Sequence, residues 1–298
     1  MSGRSAFQSQ RVAARKSHKG FPGWLAVLMC GQSFLYAPIY YQGGGRGSII
    51  IQGISTMIIY DGPSLLDGQP IVAIATIKSG NSKTGDMVQT WILCRDIDPR
   101  DANKSGADYA ICGTCPHRGI ANTDPARKLA KKRTCYVNIG QGVLNVWRTY
   151  QRGRYDDATG HDATAAVGAG LIVRLGSYGD PAAVPRYVWD SLLSLANGHT
   201  GYSHQATTPG AEYTPDLTMH SADSLADAQA AWQRGDRTFR IVANVKDIVR
   251  DFETLCPASK EAGFRTTCDK CKLCGGNSVK AKSIAIPAHG PGAVHFAS

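Results

Sequence analysis

Cysteine is too sparse in this chain for a disulfide scaffold. Nine cysteines are spread through 298 residues, whereas disulfide-stapled secreted domains are short and cysteine-dense. A reducing cytoplasm is therefore the expected compartment. Acidic side chains are also few: 23 Asp and Glu stand against 33 Lys and Arg, a net charge of +10. That imbalance favours nucleic acid or other anionic ligands by long-range attraction, or else marks a basic surface with no dedicated partner. No internal repeat is visible, which sets repeat architectures aside. An unbroken apolar run is missing too. Residues 21–40 carry no charge and follow Arg11, Arg15, Lys16 and Lys19, as in a signal peptide or membrane anchor. However, Pro22, Gly23, Gly31, Gln32, Ser33 and Pro38 interrupt the run, and Met29 precedes Cys30 where a lipoprotein cleavage site needs a small residue. Residues 1–47 are read as an N-terminal extension or anchor ending in the linker Gly43–Gly47, and a membrane partner is not expected.

What is present reads as a folded soluble chain. Its composition is 43% hydrophobic and 19% charged, ordinary for a globular protein. Residues 48–298 are expected to form a single α/β metal-cluster domain with a Cys-rich segment at about 255–290. Ser48–Ile51, Ser55–Tyr60, Pro70–Ile77 and Met87–Leu93 are short β-rich runs separated by Gly/Asp/Pro turns, an antiparallel or mixed β region. Residues 95–135 read as loop. Gly142–Gly153 has Val143, Val146, Trp147 and Tyr150 at helical spacing. Arg154–Gly168 is polar and expected to be exposed. Strand and helix then alternate: strands at 171–177, 200–205, 217–221 and 237–245, helices at 182–196 and 224–234. Ser221 or Asp223 is expected to cap the second helix. This rhythm predicts a partial (β/α) barrel or a mixed sheet with cysteine-stapled loops. Chemistry in such folds gathers at the carboxyl ends of the strands, which hold Arg174, Asp180, His204, Gln205 and His220 as candidate catalytic residues.

Seven cysteines fall into two groups. Cys268-x2-Cys271-x2-Cys274 is the spacing by which a loop wraps a corner of a [4Fe–4S] cluster, and Cys256, followed by Pro257, is the natural fourth ligand. Gly275 and Gly276 let the backbone pass close to inorganic sulfide. Zinc is the rival, although four-thiolate zinc sites usually come from two separated C-x2-C knuckles. The other group offers Cys112, Cys115 and, twenty positions later, Cys135. Its fourth ligand is Cys94, His117 or a non-protein group. Either this is a cluster with one iron open to a substrate, or it is a zinc knuckle that pins a loop, or members of both groups share one centre. His204 and His220 sit near strand ends as acid–base candidates. His289 in a turn and Asp180 in a strand-end turn have structural readings as good as functional ones.

The segments AICGTCPHRG, CYVNIGQGVLNVWRTYQRGRY, VRLGSYGDPAAVP, TGYSHQ, CPASKEAG, TTCDKCKLCGG and IAIPAHG, within Lys83–Gly290, resemble a protein family common in tailed bacteriophages and prophages. More distantly, they resemble radical-SAM-like iron–sulfur proteins. The resemblance implies a phage-encoded protein in the cytoplasm of the infected bacterium, with a partial barrel and cysteine-bound clusters. It also makes Gly176, Tyr178 and Gly179 candidate cofactor-binding residues, with S-adenosylmethionine as the ligand. Radical enzymes of that kind usually use C-x3-C-x2-C, which this chain lacks.

Two functions are carried forward. One is an iron–sulfur protein with one or two [4Fe–4S] clusters, in its enzymatic form a redox or radical modifier of a nucleotide, nucleic acid or peptide, served by an electron donor. The alternative is a zinc-stabilised nucleic-acid-binding protein of phage replication or host takeover. It rests on Lys128, Lys131, Lys132 and Arg133 near one cysteine group and Lys270, Lys272, Lys280 and Lys282 near the other. Aromatic residues are not interleaved with these lysines as a single-strand stacking platform requires.

Overall fold

The computed structural model describes residues 56–77, 82–209, 211 and 213–288, all within the compact unit Ser48–Ser298. Residues 1–47, the predicted strand Ser48–Ile51 and His289 lie outside the described residues. Among the described residues no helix is long and apolar enough to cross a membrane.

Strands β1 (Thr56–Pro63), β2 (Pro70–Thr76) and β3 (Val88–Cys94) form an antiparallel meander. The runs PIVAIAT and VQTWILC are apolar on both faces, and β2 and β3 are accordingly covered on both sides. Helices α1 (Pro99–Ser105), α2 (Tyr109–Cys112) and α3 (Gly142–Gln151) follow, then a two-residue strand β4 (Asp156–Asp157) and helix α4 (His161–Gly168). From there the chain alternates β5 (Ile172–Tyr178), α5 (Arg186–Leu193), β6 (Gly198–Ser203), β7 (Met219–Ala222), α6 (Leu225–Gln233) and β8 (Thr238–Val242). It closes with β9 (Glu253–Leu255), the one-turn helix α7 (Cys268–Cys271) and β10 (Ser283–Pro287).

Among the described residues, ten strands join one mixed sheet in the order β4-β1-β2-β3-β5-β6-β7-β8-β10-β9. The sheet does not close into a barrel, and its half from β3 to β9 is parallel. Its two edges are very short strands, β4 and β9, which leaves little unpaired backbone for another chain to add to. Helices α4, α5 and α6 cover one face. Val173 and Leu175 of β5 are buried in the same core as Val188, Trp189 and Leu192 of α5. Trp232 of α6 donates from Nε1 to Thr238 Oγ1 of β8 at 3.0 Å. Strand alternation therefore turns Arg174, Tyr202, Met219, Phe239 and Ile241 to the opposite face. There they meet the C-terminal segment: Met219, Cys256, Ile284 and Ile286 form a core with Tyr202, Phe239, Cys268, Leu273 and Cys274 against it.

Three local expectations differ from this structure. Residues 95–135 are not all loop. Asp98 accepts from Arg100 N at 2.9 Å, Pro99 opens α1 and left-handed Gly106 ends it. Arg154–Gly168 is not simply exposed: Thr164, Ala165, Val167 and Gly168 of α4 are buried. At Gly168 any Cβ would run into the Leu192 carbonyl, so glycine lets α4 lie directly on α5. Finally, the cap of α6 is Ser224, which accepts from Asp227 N at 3.1 Å, and Asp223 is left free for another role.

Candidate metal centres

The C-terminal cysteines are set in place by backbone bonds from four directions. Cys256 follows β9, and its N–H donates to Ala285 O at 2.9 Å. Cys268 and Cys271 occupy the two ends of α7, one turn apart and so on one side of it. The start of that turn is tied down by Cys268 N to Lys83 O at 3.2 Å and Asp269 N to Thr84 O at 3.0 Å. Cys274 O accepts from Gly201 N of β6 at 2.9 Å. Beyond it the Arg237 guanidinium donates to the carbonyls of Gly276, Ala281 and Lys282 at 2.7–2.8 Å and holds the exit of the loop. Gly276, at φ +66°, sits where a Cβ would strike the Pro215 and Asp216 carbonyls.

These thiols share one electrostatic environment. Burial pushes Cys274 up to about 12, with Cys256, Cys268 and Cys271 adding to it against the Tyr202 hydroxyl, which hydrogen-bonds the sulfur. Burial also raises Cys256 and Cys268, while Lys83 acts on both, and Arg174 on Cys268, in the opposite direction. Arg174 Nε is shielded from solvent and has no hydrogen-bond partner. Its Nη2 donates to the Tyr136 hydroxyl at 2.6 Å, and no carboxylate pairs with it among the described ion pairs. A cation so placed suits an anionic neighbour, and a centre carrying four thiolates is one. The donor set therefore fits a thiolate-bound metal.

The other cysteine group lies at the carboxyl ends of β5 and β6. Cys112 ends α2, Cys115 precedes the short turn Pro116–Arg118, and Cys135 N bonds back to His117 O at 3.0 Å. Gln205 clips this loop to β6. Its Nε2 donates to Cys112 O at 3.0 Å, and its Oε1 accepts from Thr114 and Thr208. Gly113, at φ +51°, provides the room, because a Cβ there would collide with the Gln205 amide. Burial raises the Cys112 thiol well above its ordinary value, helped by Cys115, Asp108 and Cys135; burial raises Cys135 as well.

Asp180 organises the strand ends beneath. Its carboxylate accepts from Ala182 N (3.0 Å), Ser203 Oγ (2.7 Å), His204 N (2.8 Å) and Gln205 Nε2 (3.3 Å). Above it, His204 Nε2 lies 3.8 Å from Cys115 Sγ and 3.3 Å from Asp223 Oδ1. His117 Nε2 reaches the same Asp223 oxygen at 3.2 Å, and its Nδ1 meets Thr134 Oγ1 at 2.7 Å. Burial alone would lower His204, but Cys115 and Asp223 hold it well above the usual histidine range.

The predicted site residues thus divide. Asp180, His204 and Gln205 come together with Cys112 and Cys115. Arg174 belongs instead to the C-terminal centre. His220 is on the helix-covered side of β7, bound to Asp227 Oδ1 of α6 at 3.0 Å. Of the expected fourth ligands, Cys94 donates to Ala107 O at 3.5 Å, and His117 turns to Asp223. Gly176 and Gly179 have positive φ, but the space beside them is filled by Pro181 and Gly179 O in one case and Ile92 in the other; Tyr178 is buried. Asp223, Thr134, Tyr136, Tyr202 and Lys83 are additions. Asp223 had one visible signal, its place two residues beyond the predicted strand 217–221.

Side chains reach from one cysteine group towards the other. Cys135 is followed by Tyr136, whose hydroxyl holds Arg174, and Arg174 lies in the field of Tyr202 and Cys268. A surface depression of about 410 Å³ at the β1/β4 edge, lined by Tyr60, Asp61, Asp157 and Tyr187, includes none of these residues. No family model, curated protein or solved structure matches the chain.

Proposed function

We propose that this chain is an iron–sulfur protein in which Cys256, Cys268, Cys271 and Cys274 hold a [4Fe–4S] cluster and Cys112, Cys115 and Cys135 serve a second, reactive centre. The observation that carries the reading is the C-terminal quartet: Cys256, Cys268 and Cys274 pack against one small core beside the α7 turn that bears Cys271, with the Arg174 guanidinium, its Nε unpartnered, in the field of Cys268. The C-x2-C-x2-C order with a remote fourth cysteine supports it independently.

A bound cluster of this type supplies one-electron transfer. The chain's own residues then have separable tasks. Arg174 and Lys83 offset the negative charge of the thiolates, and Tyr202 donates to the Cys274 sulfur; both effects stabilise the reduced, more negative state. The Tyr136–Arg174 bond links the residue after Cys135 to a cation in the field of Cys268. Asp180 and Gln205 fix the Cys112–Cys115 loop over the strand ends, where the polar groups face a substrate. In its enzymatic form this is a redox or radical modification of a nucleotide, nucleic acid or peptide, fed by an electron donor in the cytoplasm of a phage-infected bacterium.

Anaerobic purification with iron, zinc and sulfide quantified, together with an absorption spectrum, tests the reading. The expected result is a brown protein with about four irons and four sulfides in the C-terminal centre. Loss of that iron in Cys271→Ser, with iron at the other centre kept, assigns it. A colourless protein with stoichiometric zinc and no sulfide overturns the reading in favour of the zinc-stabilised nucleic-acid binder. Formation of 5′-deoxyadenosine on adding S-adenosylmethionine and a reductant would specify radical chemistry.

A further inference from the structure

Apart from the cysteines, one other set of donors converges. His117, His204 and Asp223 come from three separate stretches of chain, the Pro116–Arg118 turn and the carboxyl ends of β6 and β7. Their ligand atoms all lie within 4.8 Å of one another, the one such set of three among the described residues. We propose that these three residues hold a single divalent first-row transition-metal ion, distinct from the cysteine-bound centres, with at least one coordination position open to water or substrate.

Four observations carry this. The first is chemical: two imidazoles and a carboxylate are a donor set for zinc or iron(II), and three protein ligands with a free position is the pattern of catalytic rather than structural sites. The second is metric. Asp223 Oδ1 lies 3.2 Å from His117 Nε2 and 3.3 Å from His204 Nε2. Nitrogen and oxygen ligands about 2.0–2.1 Å from a tetrahedral ion stand about 3.3–3.4 Å apart.

The third observation is that each ligand is already oriented. Thr134 Oγ1 engages His117 Nδ1 at 2.7 Å, which turns Nε2 to the centre. Asp180 holds the His204 main chain at 2.8 Å, and Asp227 Oδ2 accepts from Asp223 N at 3.2 Å. The fourth is access: the His117, His204 and Asp223 side chains are 17%, 19% and 37% exposed, so an ion can enter and a position on it can stay wet. Cys115 Sγ, 3.8 Å from His204 Nε2, borders the site without joining the convergent set.

The reading goes beyond the cluster proposal and stands without it. Co²⁺ added alone to the full-length protein is the probe, with bound cobalt counted and its visible ligand-field bands recorded. One equivalent is expected, with bands typical of nitrogen and oxygen ligands. Asp223→Asn and His117→Ala should abolish it, and Thr134→Val should weaken it about 10–100-fold, the usual cost of losing an orienting contact. The far-ultraviolet circular dichroism and the iron and sulfide of the C-terminal centre should stay unchanged in Asp223→Asn. Thr134→Val reads the site if a ligand variant fails to fold. Absence of bound cobalt, equal binding in Asp223→Asn, or sulfur-to-cobalt charge-transfer bands lost with Cys115→Ala but kept in Asp223→Asn would each overturn the site. Iron and sulfide counts report separately on the cluster, so either proposal can fail while the other stands.

Discussion

Asp180→Asn is the most informative single substitution, because the two side chains have the same shape and differ in which atoms can accept. In the native protein Oδ1 accepts from Ala182 N and Ser203 Oγ, and Oδ2 accepts from His204 N and Gln205 Nε2. An amide must present its NH₂ to one of these donor pairs whichever way it is flipped. Rotating the Gln205 amide does not resolve the clash. Its Nε2 also donates to Cys112 O, and its Oε1 accepts from Thr114 and Thr208, so rotation breaks the clip on the cysteine loop. Asp180 is 6% exposed and Gln205 1%, which leaves little room for rescue by water. Leaving one or two buried donors facing a donor costs about 1–3 kcal/mol each, so a loss of about 2–4 kcal/mol is expected. Urea denaturation of the full-length protein measures it through the midpoint at constant slope. The same variant should bind less metal at the Cys112/Cys115/Cys135 centre while the C-terminal centre stays loaded. A change under about 0.5 kcal/mol, the range of an ordinary surface substitution, would refute the claim that Asp180 is the organising acceptor of these strand ends.

Three further outcomes follow from other parts of the molecule. Arg240 and Glu253 form a bidentate pair across β8 and β9 with side chains 7% and 0% exposed. Arg240→Met should destabilise by about 3–5 kcal/mol by stranding a buried carboxylate, and adding Glu253→Leu should recover much of that in denaturant titrations. Gly168→Val should push α4 off α5, costing at least the roughly 1–3 kcal/mol of an overpacked core, read as a drop in melting temperature. Burial, then Asp108, pushes the Cys94 thiol from an ordinary value of 9.0 up to about 12. The unfolded chain therefore loses that proton first, and stability falls as pH rises from about 9 towards 12. Cys94→Ala should flatten this slope in stability measured against pH, and Cys94 should resist alkylation in the folded protein.

Much of the fold was legible because the local signals agreed with their surroundings. The apolar runs of β2 and β3, the alternation from β5 to β8 and the helical spacing of α3 all lie where the sequence pattern puts them. Failures came where partners are remote. Helix α4 reads as a polar loop, since HDATAAVG is short and its apolar side is made of Ala, Val and Gly; only contact with α5 explains its burial. In α1 the signals Asp98-Pro99 and Gly106 are present, but they open a stretch whose Gly, Pro, Asn and Thr content beyond Gly106 is that of a loop.

The site shows the same division between spacing and contact. Cysteine spacing is local, so both groups could be recognised from the sequence. Neighbours from remote strands cannot be read that way. Cys94 is nearest in sequence to the Cys112 group, yet at the end of β3 its thiol is bonded to Ala107 O. His204 and Asp223, some ninety and a hundred positions beyond Cys115, reach the group because β6 and β7 are neighbours in a parallel sheet. Their closeness depends on the lengths of those two strands. Lengthening the β6–β7 connection should leave it intact, since His204 N is bonded to Asp180 and Asp223 N to Asp227. Disturbing either strand end should separate the imidazole from the carboxylate even with every cysteine in place. The His204–Asp223 contact is therefore a property of the sheet, and the cysteine spacing beside it a property of the loop.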